Sequence, residues 1–306
     1  MAIETRPLGQ TGTDVTILGY GAMELRGAPR GPEIAAEDAG RLLNAVLDGG
    51  ITLIDTSPDY GGSEELIGRF VGHRREEFFL ASKCGCPLDL PADAPGPFPH
   101  DYRPANVRAG VERSLRRLRT DLLDLVQVHM SPSLATMAEN DVIETLLELQ
   151  TEGKTRFIGM SGIIPDLPGH IELGVFDVFQ IPYSAVQREH EDLITKAAGE
   201  GAGTLIRGGA ARGAPSEDKN WAIGPLGVPK DEGRRRWVEA RLDDLVADSG
   251  LSPIEFTLRF TLSHPGLSST IVGTSSPDHL ASNLAMAEKG PLPADVYAEA
   301  KTRLAA

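Results

Sequence analysis

The chain is 306 residues long and carries a formal net charge of −14, so it lacks the basic surface that nucleic acid or an anionic membrane requires. Its content, 41% hydrophobic and 24% charged, is that of an ordinary soluble protein of enzyme size, and no apolar run approaches the roughly 18–20 residues that cross a bilayer. The opening MAIETRPLGQTG has no basic-then-apolar signal pattern, and the only two cysteines, Cys84 and Cys86, are too close for an unstrained disulfide, so a cytoplasmic, reducing environment is expected. In chain order, residues 6–21 read as a small hairpin followed by a first strand near 15–19. Apolar positions Ala39, Leu42, Leu43, Val46 and Leu47 recur at helical spacing over 36–47. Residues 51–54 form a short apolar run ending in Asp55, Thr56 and Ser57, after which a Pro- and Gly-containing loop carries Tyr60. Ser63 then stands before Glu64 and Glu65 as an expected helix N-cap.

Further on, strands are expected at 78–83 (FFLASK), 123–129 (LDLVQVH), 156–161 (RFIGMS), 175–183 (VFDVFQIPY), 203–206 and 269–273. Helical periodicity marks 106–118, 142–152, 192–199, 234–248, 253–263 and a C-terminal region. Two Gly- and Pro-rich segments, 87–104 and 207–233, are longer than connectors need to be and suit pocket walls. Eight strands after the hairpin, each followed by a helical segment, predict an α/β (β/α)8 TIM barrel with an N-terminal β-hairpin and long loops after strands 3 and 7. No linker-like composition shift divides 1–306, so a single domain is expected.

In such a barrel the carboxyl ends of the strands face one pocket. Here those ends carry Asp55 with Tyr60, Lys83 and His129. Each has a bland reading alone: a helix-capping Asp, a packing Tyr, a solvated Lys, a lone His. Together, on three successive strand ends, they suit one reaction. A phenol with an ordinary pKa near 10 is a poor acid at neutral pH; a nearby ammonium favours its phenolate, and a carboxylate holds that ammonium in place. Tyr60 is then the proton donor to a carbonyl, Lys83 its tuner, Asp55 the anchor of Lys83, and His129 the group orienting the carbonyl oxygen while a hydride arrives at carbon.

The segments GITLIDTSPDYGGSEELIG, FFLASK, SLRRLRTDLLDLVQVH, GKTRFIGMSG and STIVGTSSPDHLASN closely resemble the aldo-keto reductase superfamily, in the family order and over nearly the whole chain. The resemblance implies reduction of an aldehyde or ketone with a nicotinamide cofactor, usually NADPH, and the same roles for Asp55, Tyr60, Lys83 and His129. It also implies cofactor positions. A family Ser-Asn pair and a Gln hold the nicotinamide amide, and an aromatic stacks on the ring; this chain offers Ser161 with Gly162, Gln180 and Tyr183. Gly162 in place of Asn removes one side-chain hydrogen bond, about 0.5–1.5 kcal/mol. The adenosine-phosphate pocket falls on Gly273, Thr274, Ser275, Ser276, His279 and Asn283, without the Lys or Arg of strongly NADPH-selective members. Hydroxyls, His279 and a helix N-terminus suit an anion, which favours NADPH with NADH possible; Ser276 acting only as a helix cap is the alternative. Arg207 and the glycines of RGGAARG replace the usual Ser-Pro-Leu beside the pyrophosphate.

Cys84 and Cys86, with neither a second cysteine pair nor a histidine cluster beside them in sequence, are expected to line the pocket next to Lys83, and no metal is expected. Met23, Leu25, Phe98 and Trp221 are expected to form an apolar wall, with Glu24 and Arg26 admitting polar substrates. A small-molecule carbonyl is the expected partner, with a monomer as default. Two other functions fit the same residues: a regulatory subunit sensing the nicotinamide redox state, and an enzyme oxidising a sugar or alcohol hydroxyl with the tetrad run in reverse.

Overall fold

A computed structural model describes residues 2–31, 33–89, 99–213, 215 and 230–305. Phe98 and Trp221, expected in the pocket wall, lie outside the described residues. Two short strands, β1 (Thr5–Pro7) and β2 (Asp14–Thr16), pair antiparallel as the expected hairpin. Eight parallel strands then close a barrel: β3 (Leu18–Gly21), β4 (Leu53–Asp55), β5 (Phe79–Cys84), β6 (Leu123–Val128), β7 (Thr155–Ser161), β8 (Val178–Pro182), β9 (Gly203–Arg207) and β10 (Ser269–Val272). The order runs β10-β3-β4-β5-β6-β7-β8-β9, each strand beside its sequence neighbour. This is the (β/α)8 architecture expected from the alternation of elements. The strand expected near 15–19 is divided: Val15 and Thr16 belong to the hairpin, and the barrel begins at Leu18.

Helices α1 (Ala36–Asp48), α2 (Ser63–Phe70), α3 (Pro104–Leu118), α4 (Leu134–Glu139), α5 (Val142–Thr151), α6 (Leu167–Glu172), α7 (Glu191–Gly199), α8 (Lys230–Glu239), α9 (Leu242–Ser249), α10 (Pro253–Leu262), α11 (Pro277–Glu288) and α12 (Ala294–Arg303) surround it. Their apolar stripes, such as Leu42, Leu43 and Val46 of α1, pack against the outward face of the strands in one continuous core. Inside the barrel, period-two alternation separates two layers. The lower layer, Leu53, Phe79, Leu125, Val178, Leu205 and Ile271, is apolar and is closed below by Leu8 and Val15 of the hairpin. Two residues further along the same strands come Asp55, Gln127, Gln180 and Arg207, with Lys83 two places beyond Ala81. The chemistry therefore sits as a polar layer on an apolar floor, at the carboxyl mouth.

Candidate active site

Asp55 is the hub of this layer. Lys83 Nζ lies 2.7 Å from Asp55 Oδ1 and 2.8 Å from Oδ2, and donates a third hydrogen bond to Thr56 O at 2.9 Å. Both side chains are almost wholly buried, so this pair holds only because each charge meets its opposite with good geometry. Asp55 Oδ1 also accepts from Gln127 Nε2 and Gln180 Nε2, each at 2.9 Å. Ser161 Oγ donates to Gln180 Oε1 at 3.3 Å. The carboxylate is thus fixed from three other strands, β5, β6 and β8, and through Gln180 it is linked to Ser161 at the end of β7. Gln127 was not singled out from the sequence, although it stands two residues before His129 and so on the same face of its strand.

Tyr60 projects from the loop after β4. Its turn is set by the backbone hydrogen bond from Tyr60 N to Ser57 O, 3.0 Å, and by Gly61, whose φ of +51° is accompanied by a close approach: a Cβ there would lie 2.1 Å from Arg26 O. Ser63 does not cap α2 as expected. It is the first helical residue, after Gly62, and its hydroxyl pairs with Thr56 Oγ1 at 2.9 Å and donates to Ala22 O at 3.0 Å. Glu64 likewise turns inward, accepting from Ser82 Oγ at 2.8 Å, and burial raises its carboxyl above the usual range.

The Tyr60 ring centroid is 5.8 Å from Lys83 Nζ and 6.5 Å from the His129 ring, edge to face. The phenol is held well above its ordinary pKa, first by burial and then by Asp55 and Asp59; Arg207 is the cation that pulls it down. Lys83 stands behind this ring with Asp55 against its ammonium, the arrangement expected of the pair. Arg207, ending β9, also opposes protonation of His129 and His190, which places its charge at the mouth. Burial lowers His129 to about 3, so its imidazole is neutral. The next two residues, Met130 and Ser131, have φ of 65° and 51°. Two successive non-glycine residues in the left-handed region are strained, and such strain clusters at functional sites.

The expectation that no histidine stands near the cysteines is also corrected. Cys86 Sγ lies 3.4 Å from His129 Nδ1, and His100 Nε2 lies 3.1 Å from the same nitrogen. Cys84 is buried, with its thiol pushed up to about 12.

The expected cofactor positions divide. Ser161 and Gln180 lie at the strand ends, but the Gln180 amide nitrogen is directed at Asp55. Tyr183 is fully buried, stacked on Phe260 at 5.9 Å, edge-on to His264 at 5.1 Å, and its hydroxyl donates to Glu191. A ring so enclosed has no open face for a nicotinamide, and Arg207 occupies the adjacent strand end instead. A side chain at Gly162 would meet Leu167 Cδ1 at 2.8 Å, so an Asn there needs a local shift. Leu25 belongs to the core rather than to a pocket wall, whereas Met23, Glu24 and Arg26 are half-buried. Gly208 has φ +75° and open space where its Cβ would be, so bare backbone lies along that loop. Ser276 caps α11 by accepting from His279 N, and Thr274 Oγ1 accepts from Ser276 N at 3.0 Å. Ser275, Ser276 and Asn283 are half-exposed and Gly273 and His279 exposed around this helix start. A helix N-terminus, an open glycine loop with Arg207 at its head, and polar strand ends fit a dinucleotide lying across the mouth.

A closed parallel barrel with a polar constellation at its carboxyl mouth defines a barrel enzyme. The Aldo/keto reductase family profile matches residues 17–303, and the chain belongs to that family. It is 28% identical to L-galactose dehydrogenase of Arabidopsis thaliana over 298 residues, covering 92% of this chain and 88% of that protein. It is 30% identical to aldo-keto reductase YhdN of Bacillus subtilis (strain 168) over 295 residues, covering 91% and 87%. Among solved structures it resembles the holo form of aldo-keto reductase AKR11C1 from Bacillus halodurans, with TM-score 0.81, 26% identity and coverage of 98% and 96%. The protein is accordingly an NAD(P)H-dependent oxidoreductase of the aldo-keto reductase type, a family that acts on small-molecule carbonyls. No helix of the described residues is long and apolar enough to cross a membrane.

Proposed function

We propose that this chain reduces a small aldehyde or ketone to the alcohol with NADPH, and that Tyr60 is the proton donor. The observation that carries this is the buried Asp55–Lys83 pair with the Tyr60 and His129 rings grouped in front of it. The nicotinamide, when bound, supplies the hydride. The substrate carbonyl oxygen is received between the Tyr60 hydroxyl and the His129 ring, and the phenol O–H donates its proton to that oxygen as negative charge grows there. Raised well above its ordinary pKa, the phenol keeps its proton throughout the neutral range. Arg207, acting on the phenol as an opposing charge, stabilises the phenolate left behind. Neutral His129 contributes one N–H, which orients the carbonyl without adding a charge. Ser161 and Gln180 would hold the nicotinamide amide, Arg207 and the Gly208 backbone the pyrophosphate, and Ser275, Ser276, His279, Asn283 and the start of α11, with Gly273 and Thr274 leading into it, the adenosine phosphate. That anion-suited helix start supports NADPH over NADH.

The test combines turnover and binding. Tyr60→Phe should lower kcat by at least about 100-fold, while calorimetric titration gives NADPH affinity within about threefold of wild type. Wild-type turnover in the variant would remove Tyr60 from the role, and tighter NADH than NADPH binding in both proteins would reassign the cofactor. A second reading, oxidation of a sugar or alcohol hydroxyl on the same residues, draws support from the likeness to L-galactose dehydrogenase. It predicts faster turnover with NADP+ and an alcohol than with NADPH and the matching carbonyl.

A further inference from the structure

Sharing His129 with the tetrad is a second constellation, whose other three members carbonyl reduction does not require. Asp59, Cys86, His100 and His129 each offer one donor atom, and the four atoms lie within 4.8 Å of one another. The resolved separations are 3.1 Å from His100 Nε2 to His129 Nδ1, 3.4 Å from Cys86 Sγ to His129 Nδ1, and 3.8 Å from Asp59 Oδ2 to His129 Nδ1. Tetrahedral zinc, with ligands at about 2.0–2.3 Å, has donor-to-donor edges of about 3.3–3.8 Å. The three edges that meet at His129 Nδ1 already have nearly that spacing, and the other three, all within 4.8 Å, need only a modest contraction. From this geometry we propose that Cys86, His100, His129 and Asp59 bind one Zn2+ ion per chain, and that the bound ion inhibits the enzyme.

The donor set selects the metal. One thiol, two imidazoles and one carboxylate form a mixed N/S/O set suited to Zn2+, whereas Mg2+ and Ca2+ want oxygen ligands. Binding releases the Cys86 thiol proton to solvent and leaves the thiolate on the ion. Surrounding residues hold the donors in place. Ser57 Oγ donates to Asp59 Oδ1 at 2.5 Å and lies 3.4 Å from Cys86 Sγ. Tyr102 donates to the His129 carbonyl oxygen at 2.6 Å and stacks beside His100 at 6.1 Å. Outer partners of this kind orient metal ligands. Inhibition follows from shared atoms: a ring that ligates through Nδ1 is no longer free to adjust to a carbonyl oxygen.

The binding claim stands independently of the reductase reading; the inhibition rests on that reading. The full chain, stripped with a chelator, is titrated with Co2+ as a spectroscopic stand-in and then with Zn2+. Expected are one equivalent of Co2+, intense visible bands of a tetrahedral ion, a thiolate-to-cobalt charge-transfer band in the near ultraviolet, and displacement of all of these by Zn2+. Cys86→Ser should abolish the charge-transfer band, and Cys86→Ser and His100→Gln should each weaken binding at least about tenfold, while Cys84→Ser keeps both properties. His100→Gln alters a half-buried loop position, so it serves if Cys86→Ser fails to fold. Absence of the charge-transfer band, or its survival in Cys86→Ser, would overturn the site, as would unchanged affinity in His100→Gln. Inhibition is read separately, as the Zn2+ response of each variant relative to its own metal-free rate. A cobalt site without inhibition would discard only the inhibitory role, and a chain with no turnover would count against the reductase reading alone.

Discussion

Asp55 Oδ1 receives three donors, from Lys83, Gln127 and Gln180, and the Gln127 contribution separates charge from packing. Gln127 is fully buried, and its Oε1 has no partner. Replacing it with Met removes one hydrogen bond to the carboxylate and also an unsatisfied carbonyl, two effects of opposite sign. Gln127→Met should therefore cost less than about 1.5 kcal/mol of stability, with kcat lowered only several-fold. Gln127→Glu has nearly the same shape but sets a second carboxylate beside Asp55, where two like charges in contact cannot both ionise. It should lose at least about 3 kcal/mol at pH 7 and most turnover, with partial recovery on acidification. Urea unfolding and steady-state rates at pH 7 and 5.5 check this. Equal effects of Met and Glu would mean that the layer tolerates added charge. At this scale the sequence pointed to the grouping of Asp55, Tyr60, Lys83 and His129 because each ends or follows a strand whose run is plain. It hid Asp59, His100 and Gln127, because the first two meet Cys86 only through loop paths that no periodicity encodes.

The loop bearing Tyr60 ends in α2, and α2 is seated on α3 through a contact that has no room for a side chain. A Cβ at Gly68 would lie 2.1 Å from Arg117 O and 2.7 Å from Leu118 C, both backbone atoms. Gly68→Ala removes a helix-weakening glycine, a gain of about 1 kcal/mol by propensity alone. It also forces two helices apart, which costs about 1–3 kcal/mol or more. The clash should win because backbone cannot rotate aside. A urea midpoint below wild type is expected, together with a lower kcat as Tyr60 shifts with its helix; a higher midpoint would mean that α2 slides freely. The elements themselves were readable within a few residues, since apolar periodicity reports the buried face directly. Departures occur where tertiary partners override local rules. The helix expected over 234–248 is broken into α8 and α9 at Arg241, whose φ is 49°. Ser63 donates its hydroxyl to Ala22 O and pairs with the Thr56 hydroxyl instead of capping the helix, and Tyr183 turns into the helix layer.

Across the whole molecule, acid should destabilise this fold earlier than its carboxylates alone would. Burial lowers His129 to about 3 and His264 to about 4, and it also depresses His170 and His190. Unfolded imidazoles titrate near 6.5. Above that value neither state binds these protons; below it the unfolded chain takes up protons that the folded chain refuses, so stability is lost as pH falls through the window from 6.5 towards 4. Each such group contributes up to about 1.4 kcal/mol per pH unit. Glu64 and Asp177, both raised by burial, act in the opposite sense, because the folded state retains their protons. Four imidazoles outweigh two carboxyls. The urea midpoint at fixed ionic strength should therefore drop between pH 7 and 5, before most unfolded carboxylates begin to protonate. His264→Asn isolates one of the four: Nδ1 of His264 accepts from Gly266 N at 3.1 Å, and an Asn oxygen can take that bond without titrating. The variant should flatten the pH slope by about one proton's share while keeping the fold at pH 7. A wild-type midpoint that is level or higher at pH 5 would mean that the native interior admits charged imidazole, and with it that His129 does not remain neutral where the enzyme works.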